Sequence, residues 1–412
     1  MAEWIECKIS DIGTVVGGAT PSTKKPENYE NGTIAWITPK DLSTFTGRYI
    51  QRGERNITEV GLKSCSTQLL PKDTVLFSSR APIGYVAIAA NEVCTNQGFK
   101  SVVPNENTDP LFLYYLLKHN KDKIEGMGSG TTFKEVSGNT MKNIVVSVPT
   151  DKKVQKRISS MLGSIDDKIE ENERINNNLA EQIKTICTAW LSDYAPFGGV
   201  LPDDWSKTPL SSIADFVSGY SYKGAELTES NIAMATIKNF DRKGGFKLDG
   251  YKEIVPSSKL KDTQHAELFD TLVAHTDLTQ NAEVIGNAEP VMSKSGYSDI
   301  VFSMDLVKVV PKNNHISKFL IAAILQDKKF KAHCLGYVNG TTVLHLSKKA
   351  LPEYQLYLPD DLSALKPLDE LVTALYQQIS ANIEEITKLE ALRDTLLPKL
   401  MSGELDVSDT DI

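Results

Sequence analysis

The feature that most constrains this chain is an internal repeat in which matching residues lie 210 positions apart. The tripeptide Gly-Thr-Thr at 130–132 returns at 340–342, and Pro149 returns as Pro359. Each copy then leads into a segment whose apolar residues recur at steps of three and four. The order unit, helix, unit, helix predicts two similar globular units, each followed by a long helix.

The two periodic segments have the spacing of a coiled-coil seam, because steps of three and four average 3.5 residues. The first segment covers 158–190, which at about 1.5 Å per residue makes a helix of roughly 50 Å. The matching seam positions are Leu162, Ile165, Ile169, Asn172, Asn176, Leu179, Ile183, Ile186 and Trp190 in the first copy, and Val372, Leu375, Ile379, Asn382, Ile386, Leu389, Arg393, Leu396 and Leu400 in the second.

An apolar stripe of this length needs a partner helix, and the second segment is the obvious one. A folded unit separates the two segments, so the chain can return and pair them antiparallel. Asn172 and Asn382 occupy equivalent seam positions, where a polar residue lowers stability but can fix the register. The alternative interpretation is that each helix lies on the surface of its own unit and packs there independently.

The predicted fold class is therefore α+β, with two repeated α/β units separated by two long helices that pair as an antiparallel coiled coil. The predicted boundaries are 1–150 for the first unit, 151–192 for the first helix, 193–360 for the second unit, 361–402 for the second helix and 403–412 for an acidic, disordered tail. Pro398 and Gly403 are predicted to end the last helix.

Within each unit, short apolar runs between turn residues predict strands. These runs are 33–37, 73–77, 85–89, 144–148 and 270–273. Asp109-Pro110 predicts the start of a helix over 111–119, because proline is favoured at the first helical position. The segment 317–326 is predicted to be the equivalent helix of the second unit.

The composition excludes several protein classes. No apolar run approaches the ~20 residues of a membrane span, and the first residues lack the features of a signal peptide. Five scattered cysteines without a Cys-x-x-Cys pair predict reduced thiols, a cytoplasmic location and no structural zinc. The net charge of −8 is concentrated in 361–412, which holds 4 Lys and Arg against 11 Asp and Glu, whereas 1–150 holds 16 against 15. The globular units can therefore carry local basic faces.

A search for catalytic motifs finds none that is convincing. The chain has no Walker loop, no His-Glu-x-x-His and no dinucleotide fingerprint, and the glycine-rich run 13–18 is interpreted as a turn. The run 109–112 resembles an adenine methyltransferase motif but lacks its second proline, so a helix start is favoured. His333, Cys334 and His345 are interpreted as ordinary positions and not as a metal site. We therefore expect a binding protein with no catalytic residue and no bound metal.

Basic and polar residues cluster in predicted loops at matching places of the two units. Arg and Lys side chains can reach phosphates or guanine, and Asn suits adenine. The candidates are Lys24, Lys25, Thr38, Lys40, Arg48, Arg52, Ser79 and Arg80 in the first unit, and Tyr222, Lys223, Lys238, Asn239, Arg242, Lys243, His275 and Thr276 in the second. The Gly-Thr-Thr repeats are interpreted as tight turns, with phosphate contact as the alternative.

Four segments resemble the specificity subunits of type I restriction-modification systems. They are 71–84, 96–99, 130–133 and the closing run 389–404. The closing run is the most specific. The resemblance extends over essentially the whole chain and favours DNA as the ligand of the loops. The second unit departs from the pattern because it has no Asn-Gln-Gly-Phe, and 274–280 replaces 77–83.

The resemblance implies a non-catalytic subunit in which each unit reads one half of a bipartite target in double-stranded DNA. The helices would set the gap and dock two modification subunits, with Arg157, Lys168 and Arg174 as candidate docking residues. Those adenine methyltransferase subunits bind S-adenosylmethionine, and restriction (motor-nuclease) subunits bind ATP and magnesium, so no cofactor is expected in this chain. The alternatives are an enzyme with an unrecognised site and a structural adaptor that bridges two proteins without reading sequence.

Overall fold

The computed structural model of the chain describes residues 3–130, 134–242 and 244–407. Thr131, Thr132 and Lys243 lie outside these residues, as does the end of the predicted tail. Internal contacts divide the chain into a first unit, Met1–Glu171 with Lys388–Ile412, and a second unit, Asn172–Thr387. Each unit thus includes part of both long helices.

The strands and helices of the chain up to the first long helix are as follows. The strands are β1 (Trp4–Lys8), β2 (Gly13–Gly17), β3 (Ile34–Ile37), β4 (Tyr49–Ile50), β5 (Arg55–Ile57), β6 (Val75–Ser79), β7 (Ile83–Ala89), β8 (Cys94–Thr95), β9 (Lys100–Pro104) and β10 (Val145–Pro149). The helices are α1 (Ile9–Ile12), α2 (Pro39–Leu42), α3 (Glu59–Lys63), α4 (Pro110–His119), α5 (Lys121–Gly126), α6 (Gly138–Asn143) and α7 (Lys152–Leu191).

The first unit is built on a five-stranded sheet in the order β2-β9-β6-β7-β4, in which only β4 and β7 are parallel. A second sheet has the order β5-β3-β8, and β1 pairs with β10. All five residues of β6 are buried, which explains its continuous run of apolar and small residues. The predicted helix after Asp109 is confirmed as α4, because the Asp109 carboxylate accepts a hydrogen bond from Phe112 N at 2.8 Å.

The remaining strands and helices follow the first long helix. The strands are β11 (Trp205–Pro209), β12 (Ala214–Ser218), β13 (Ile232–Ala235), β14 (Lys252–Glu253), β15 (Thr271–Ala274), β16 (Thr276–Asp277), β17 (Ala288–Pro290), β18 (Asp299–Phe302), β19 (Leu306–Pro311), β20 (Val338–Asn339), β21 (Leu344–Leu346) and β22 (Gln355–Pro359). The helices are α8 (Lys318–Leu325), α9 (Lys328–Leu335), α10 (Ala350–Glu353) and α11 (Lys366–Met401).

The second unit repeats the main strand order of the first. Its main sheet has the order β12-β19-β15-β17, which matches β2-β9-β6-β7, and β14-β13-β18 matches β5-β3-β8. A further sheet, β16-β21-β20, has no counterpart among the strands described in the first unit. The register repeats as well, because Trp4 pairs with Pro149 in β1–β10 and Trp205 pairs with Pro359 in β11–β22. The α+β fold with two repeated units is confirmed.

The long helices α7 and α11 pair antiparallel in the second unit. Asn172 Nδ2 donates to Glu385 Oε2 at 2.8 Å, and Asn382 Nδ2 donates to Asn176 Oδ1 at 2.8 Å, so a later residue of α7 meets an earlier residue of α11. Both seam asparagines, Asn172 and Asn382, are buried, 1% and 6% exposed. Their amides are therefore satisfied within the helix pair, as buried polar groups must be.

The predicted seam positions are withdrawn from solvent, but several of them also pack on their own unit. Leu162, Ile165, Ile169, Ile183, Val372 and Ile379 are buried, and Leu179, Ile186, Leu375, Ile386, Leu389 and Leu396 are half-buried. Leu162 joins the core of the first unit with Phe112, and Val372 joins the core of the second with Leu320. Part of each helix therefore packs on its own unit, as the alternative interpretation predicted. The rest of each helix pairs with the other helix.

Three predictions about local structure are corrected. Residues Gly13–Gly17 form strand β2 and not a turn. Pro398 lies inside α11, which continues to Met401 because Leu400 and Met401 are buried in the core of the first unit. The described part of the tail is not disordered, since Val407 is 2% exposed and packs in the core of the first unit.

Candidate nucleic-acid interface

In the first unit, the helical turn after β3 carries two of the predicted site residues. Thr38 precedes α2, and its N–H and Oγ1 both donate to Asp41 Oδ2, at 2.7 and 2.6 Å. Lys40 is exposed, and its Nζ lies 2.8 Å from Glu54 Oε2 across the loop. Thr38 therefore shapes the turn, whereas Lys40 projects into solvent in a surface ion pair of the kind that contributes little to stability.

One of the exposed cations of this unit, Arg52, lines an open cleft. Lys24, Lys25 and Arg52 are all exposed. Arg52 belongs to a cleft of about 440 Å³ whose lining residues are Thr33, Ala35, Gln51, Arg52, Asn56, Ala90 and Asn91. Guanidinium and amide groups of this kind can donate to and accept from base edges. The cleft is therefore the concave polar surface on which we centre the first candidate interface.

Arg80 lies at the end of β6 beside a second cation that the sequence analysis missed. Arg80 Nη1 is 3.7 Å from Glu135 Oε2, and Lys100 Nζ is 3.2 Å from Glu135 Oε1. One carboxylate therefore faces two cations, which leaves a net positive charge at this place. Lys100 directly follows the Asn-Gln-Gly-Phe run at 96–99, and that adjacency is the signal that could have identified it.

Two predicted contacts in the first unit are corrected because their side chains are buried. Arg48 is 5% exposed and is ion-paired to Asp167 and Glu170 of α7, so its guanidinium is not available to DNA. Ser79 is fully buried, and its Oγ donates to the carbonyl of Gly98 at 3.1 Å. Both residues hold the unit together and do not face solvent.

The second unit has an equivalent turn after β13. There Asn239 shapes the turn and Lys238 faces solvent. Thr236 N donates to Asn239 Oδ1 at 2.9 Å, and Asn239 Nδ2 donates to the carbonyl of Lys247 at 2.8 Å. Asn239 is fully buried, so the prediction that it reads a base is corrected. Lys238 is exposed beside it and remains a candidate.

Two further basic residues of the second unit remain exposed. Arg242 keeps 66% of its side chain exposed although its Nε lies 3.3 Å from Glu283 Oε2. Lys223 is exposed at the start of a short helical turn, whereas Tyr222 is half-buried against an apolar cluster that includes Met234. The predicted contact by Lys243 falls outside the described residues.

The predicted pair His275 and Thr276 lies at the edge of the sheet β16-β21-β20. Thr276 is 6% exposed and pairs with His345, so its predicted contact with DNA is corrected. Burial, and then the nearby His345 and Lys348, lower the pKa of His275, so its ring is neutral at neutral pH. His275 is half-buried and stays a prediction as a hydrogen-bonding group without charge.

The second Gly-Thr-Thr repeat is held as a turn, in agreement with the structural interpretation. Gly340 has a φ of +115°, a conformation that favours glycine. Gln280 Nε2 donates to the carbonyl oxygens of Thr341 and Thr342 at 2.7 and 3.2 Å. For the first repeat, Gly130 has a φ of +134°, and its two threonines lie outside the described residues.

No cluster of three or more His, Cys, Asp or Glu side chains in the described ranges is arranged to hold a metal ion. His333 Nε2 is within 2.8 Å of the carbonyl oxygen of Ala350, which accounts for that ring in structural terms. Within 3–130, 134–242 and 244–407, no helix combines the length and hydrophobicity that crossing a membrane requires.

A buried acid lies behind the loop that carries Arg242. Glu289, on β17, is 5% exposed and borders a cavity of about 640 Å³. Its two oxygens accept from Gly245 N and from Gln326 Nε2, both at 2.7 Å. Burial raises the pKa of Glu289 to about 7, because two hydrogen bonds and the distant charge of Lys184 only partly offset the loss of hydration.

This raised pKa predicts a stability that falls as pH rises. The unfolded chain releases the proton near its ordinary pKa of about 4.5, whereas the folded chain retains it up to about pH 7. Stability should therefore decrease across that window by about 1 kcal/mol per pH unit. Melting temperatures at pH 5 and pH 8 test this. The melting temperature of Glu289→Gln should increase relative to that of the wild type as pH rises. A difference in melting temperature between the two proteins that is the same at pH 5 and pH 8 would contradict the prediction.

The comparisons with known proteins agree on one family. The model described as the type I restriction modification DNA specificity domain matches residues 1–181. The type I restriction enzyme MjaIX specificity subunit of Methanocaldococcus jannaschii is 32% identical, over 99% of this chain and 94% of that protein. The HindI specificity subunit of Haemophilus influenzae is 21% identical, over 98% and 100%. The crystal structure of a type I restriction-modification system S subunit from M. genitalium has a TM-score of 0.56 at 18% identity, over 97% and 96% of the two chains.

Proposed function

Because this chain belongs to the specificity subunits of type I restriction-modification systems, we propose that each of its units reads one half of a bipartite DNA target. The observation that carries this proposal is the repeated frame, in which matching strands β3 and β13 each lead into a loop with exposed cations. Lys40 lies in α2 and Arg52 in the loop after it, and Lys238 and Arg242 lie in the helical turn and loop after β13. Two similar readers in one chain suit two half-sites in one duplex.

The chain itself would carry no catalytic residue in this complex. Two modification subunits would dock on α7 and α11, bind S-adenosylmethionine and receive the flipped adenine. Restriction subunits that bind ATP and magnesium would complete the assembly, and we expect it in the cytoplasm. The helices would set the gap between the half-sites. Arg157, Lys168 and Arg174 stay our predicted docking residues.

The charge pattern supports a reader that depends on its partners for affinity. Several exposed cations form ion pairs with a carboxylate, as in the pairs Lys40–Glu54 and Arg242–Glu283. Affinity that does not depend on sequence grows with the number of phosphates that cations neutralise. The isolated chain should therefore bind DNA weakly, and the more basic surfaces would come from the modification subunits.

The proposal is tested by mapping methylated adenines. The full chain is co-expressed with its modification subunit in a host that lacks adenine methylation, and the genome is sequenced for modified bases. A bipartite motif with methylated adenines on opposite strands supports the proposal and gives both half-sites. An unmethylated genome, with both proteins soluble and associated, would instead favour the structural adaptor.

Arg52 is expected to contribute one contact with the DNA backbone. Replacing it by alanine should weaken binding of the complex to a duplex that carries the mapped motif, and should reduce the slope of log affinity against log salt by roughly 0.9. Lys142→Ala, at an exposed lysine of α6, is the control and should leave the slope unchanged. An unchanged slope together with relaxed preference at one base pair would show that Arg52 contacts a base instead.

A further inference from the structure

The loop between α2 and β5 of the first unit is fastened to the long helix α7 through one side chain. Arg48 Nε donates to Glu170 Oε1 at 3.0 Å, and its backbone N–H donates to the same oxygen at 3.2 Å. Its Nη1 donates to the carbonyl of Gly163 at 3.2 Å, and Nη2 is bonded to Asp167. Four donors of one residue therefore bind a single face of α7.

A glycine in α7 leaves room for the guanidinium of Arg48. Gly163 lies in the interior of α7, where glycine is less favourable than alanine. A Cβ added at Gly163 would lie 3.3 Å from Arg48 Nη1 and 3.2 Å from Leu111 Cδ2. The absent side chain thus makes the space in which Arg48 reaches the helix backbone, which accounts for a glycine in this position.

Arg48 is also joined to the sheet that carries the loop. Its carbonyl oxygen accepts from Ile88 N at 2.7 Å, and β4 begins at the next residue. Arg52, which lines the polar cleft, follows four residues later. Arg48 is therefore one of the contacts that fix how the exposed part of the loop leaves the body of the unit.

The equivalent loop of the second unit is fastened to the other long helix by different chemistry. Gly245 N donates to Glu289 Oε1, Gln326 Nε2 donates to Glu289 Oε2, and Tyr376 Oη donates to Gln326 Oε1, each at 2.7 Å. Tyr376 belongs to α11 and is 4% exposed. A continuous chain of three hydrogen bonds thus connects α11 with the loop that carries Arg242.

We propose that Arg48 and Glu289 are positioning residues that hold each DNA-reading loop in a fixed orientation on its own long helix, and thereby determine base discrimination at one half-site. This inference rests on the proposed function. Neither residue would touch DNA, because both are buried. Much of each loop is exposed, so these buried contacts act together with the strand pairing at β4 and the bonds within each loop to restrict its motion. Because the two tethers share no residue, each half-site should respond to one tether alone.

The test uses the full chain in complex with its modification subunits, with one series of variants for each tether. Glu170→Ala and Gly163→Ala weaken the first tether while leaving Arg48 in place, and Glu289→Ala removes the centre of the second. Glu289→Gln keeps an oxygen that can accept from Gly245 N and serves as the conservative rescue. Ser164→Ala and Gln377→Ala, at exposed positions of α7 and α11, are the matched controls.

Two measurements separate a positioning role from a general loss of stability. Hydrogen exchange of the full chain should show faster exchange in 44–54 for Glu170→Ala and in 244–250 for Glu289→Ala. Binding to duplexes with the mapped motif, or with one base pair changed in one half-site, should show about a tenfold loss of discrimination at a single half-site. The two series should affect opposite half-sites, while the other half-site, the rescue and the controls stay within about twofold of the wild type.

The contrary outcomes are distinct. A wild-type complex without sequence preference would overturn the proposed function, and the role of the tethers with it. A selective wild type whose variants lose affinity for both half-sites equally, in step with lower melting temperatures, would overturn the tether proposal alone. Unchanged loop exchange in Glu170→Ala and Glu289→Ala would also overturn it.

Discussion

Replacing Leu162 by alanine is expected to lower the free energy of unfolding of the first unit by about 2–5 kcal/mol, the usual range for a buried leucine. Leu162 is 0% exposed and lies in the core of the first unit with Phe112, Leu113 and Leu400, so its removal leaves a cavity that rigid neighbours cannot fill. The change tests whether the α7 seam is part of the core or only a surface stripe.

Urea denaturation followed by hydrogen exchange measures this effect in each unit separately, as required for a chain of two units. Ser164→Ala, two residues away and exposed, is the control and should change stability by less than about 0.5 kcal/mol. Val372→Ala, the position 210 residues later, should destabilise the second unit instead. A loss below about 1 kcal/mol in Leu162→Ala would contradict the packing described for α7.

Replacing Arg48 by alanine is expected to destabilise the first unit by about 2–3 kcal/mol. The change removes the side-chain hydrogen bonds to Glu170 and Asp167 and leaves the carbonyl of Gly163 without its second donor, whereas the backbone N–H of residue 48 keeps its bond to Glu170. Hydrogen bonds to charged groups contribute about 1.5–3 kcal/mol each at most. Its carboxylate partners are partly exposed, which keeps the loss below that of a fully buried ion pair.

The matched comparison for Arg48 is Asp167→Ala, measured by the same urea titration. The Asp167 side chain is 71% exposed, so water can replace its contacts and the loss should stay below about 1 kcal/mol. Arg48→Lys should resemble Arg48→Ala more than the wild type, because an ammonium cannot make the forked contact with two acceptors. Equal losses in Asp167→Ala and Arg48→Ala would show that the exposed ion pair dominates.

The repeat made the frame of this fold predictable from sequence. Trp4 with Pro149 and Trp205 with Pro359 mark the ends of equivalent strand pairs, and Asp109-Pro110 marks a helix start by local chemistry alone. These signals depend on neighbours in sequence or on the repeat, so no knowledge of distant contacts was needed. The end of α11 was harder to predict, because the folded unit tolerates Pro398 within the last turn.

The candidate site was less predictable, because a basic or polar residue in a loop has two common uses. Arg48, Ser79, Asn239 and Thr276 were predicted to face DNA, but each is buried and bonded within its own unit. The carboxylates that bind Arg48 lie more than a hundred residues later in sequence, so no local pattern reveals them. Gly163 inside a long helix was the one local sign that another group approaches α7 closely.

If the proposed tethers hold the DNA-reading loops, they would also determine where one unit can be exchanged for another. A recombinant that joins foreign sequence at residue 150 would combine the loop of this chain with the helix of another protein. Its Arg48 would then face the residues of that other helix and not Asp167 and Glu170. A junction after Glu171, where the first unit gives way to the second, would transfer Arg48, Gly163 and Glu170 together. On the proposed function, the module of specificity would be a loop together with the stretch of helix that holds it, and new specificities would be expected most readily when both are acquired at once.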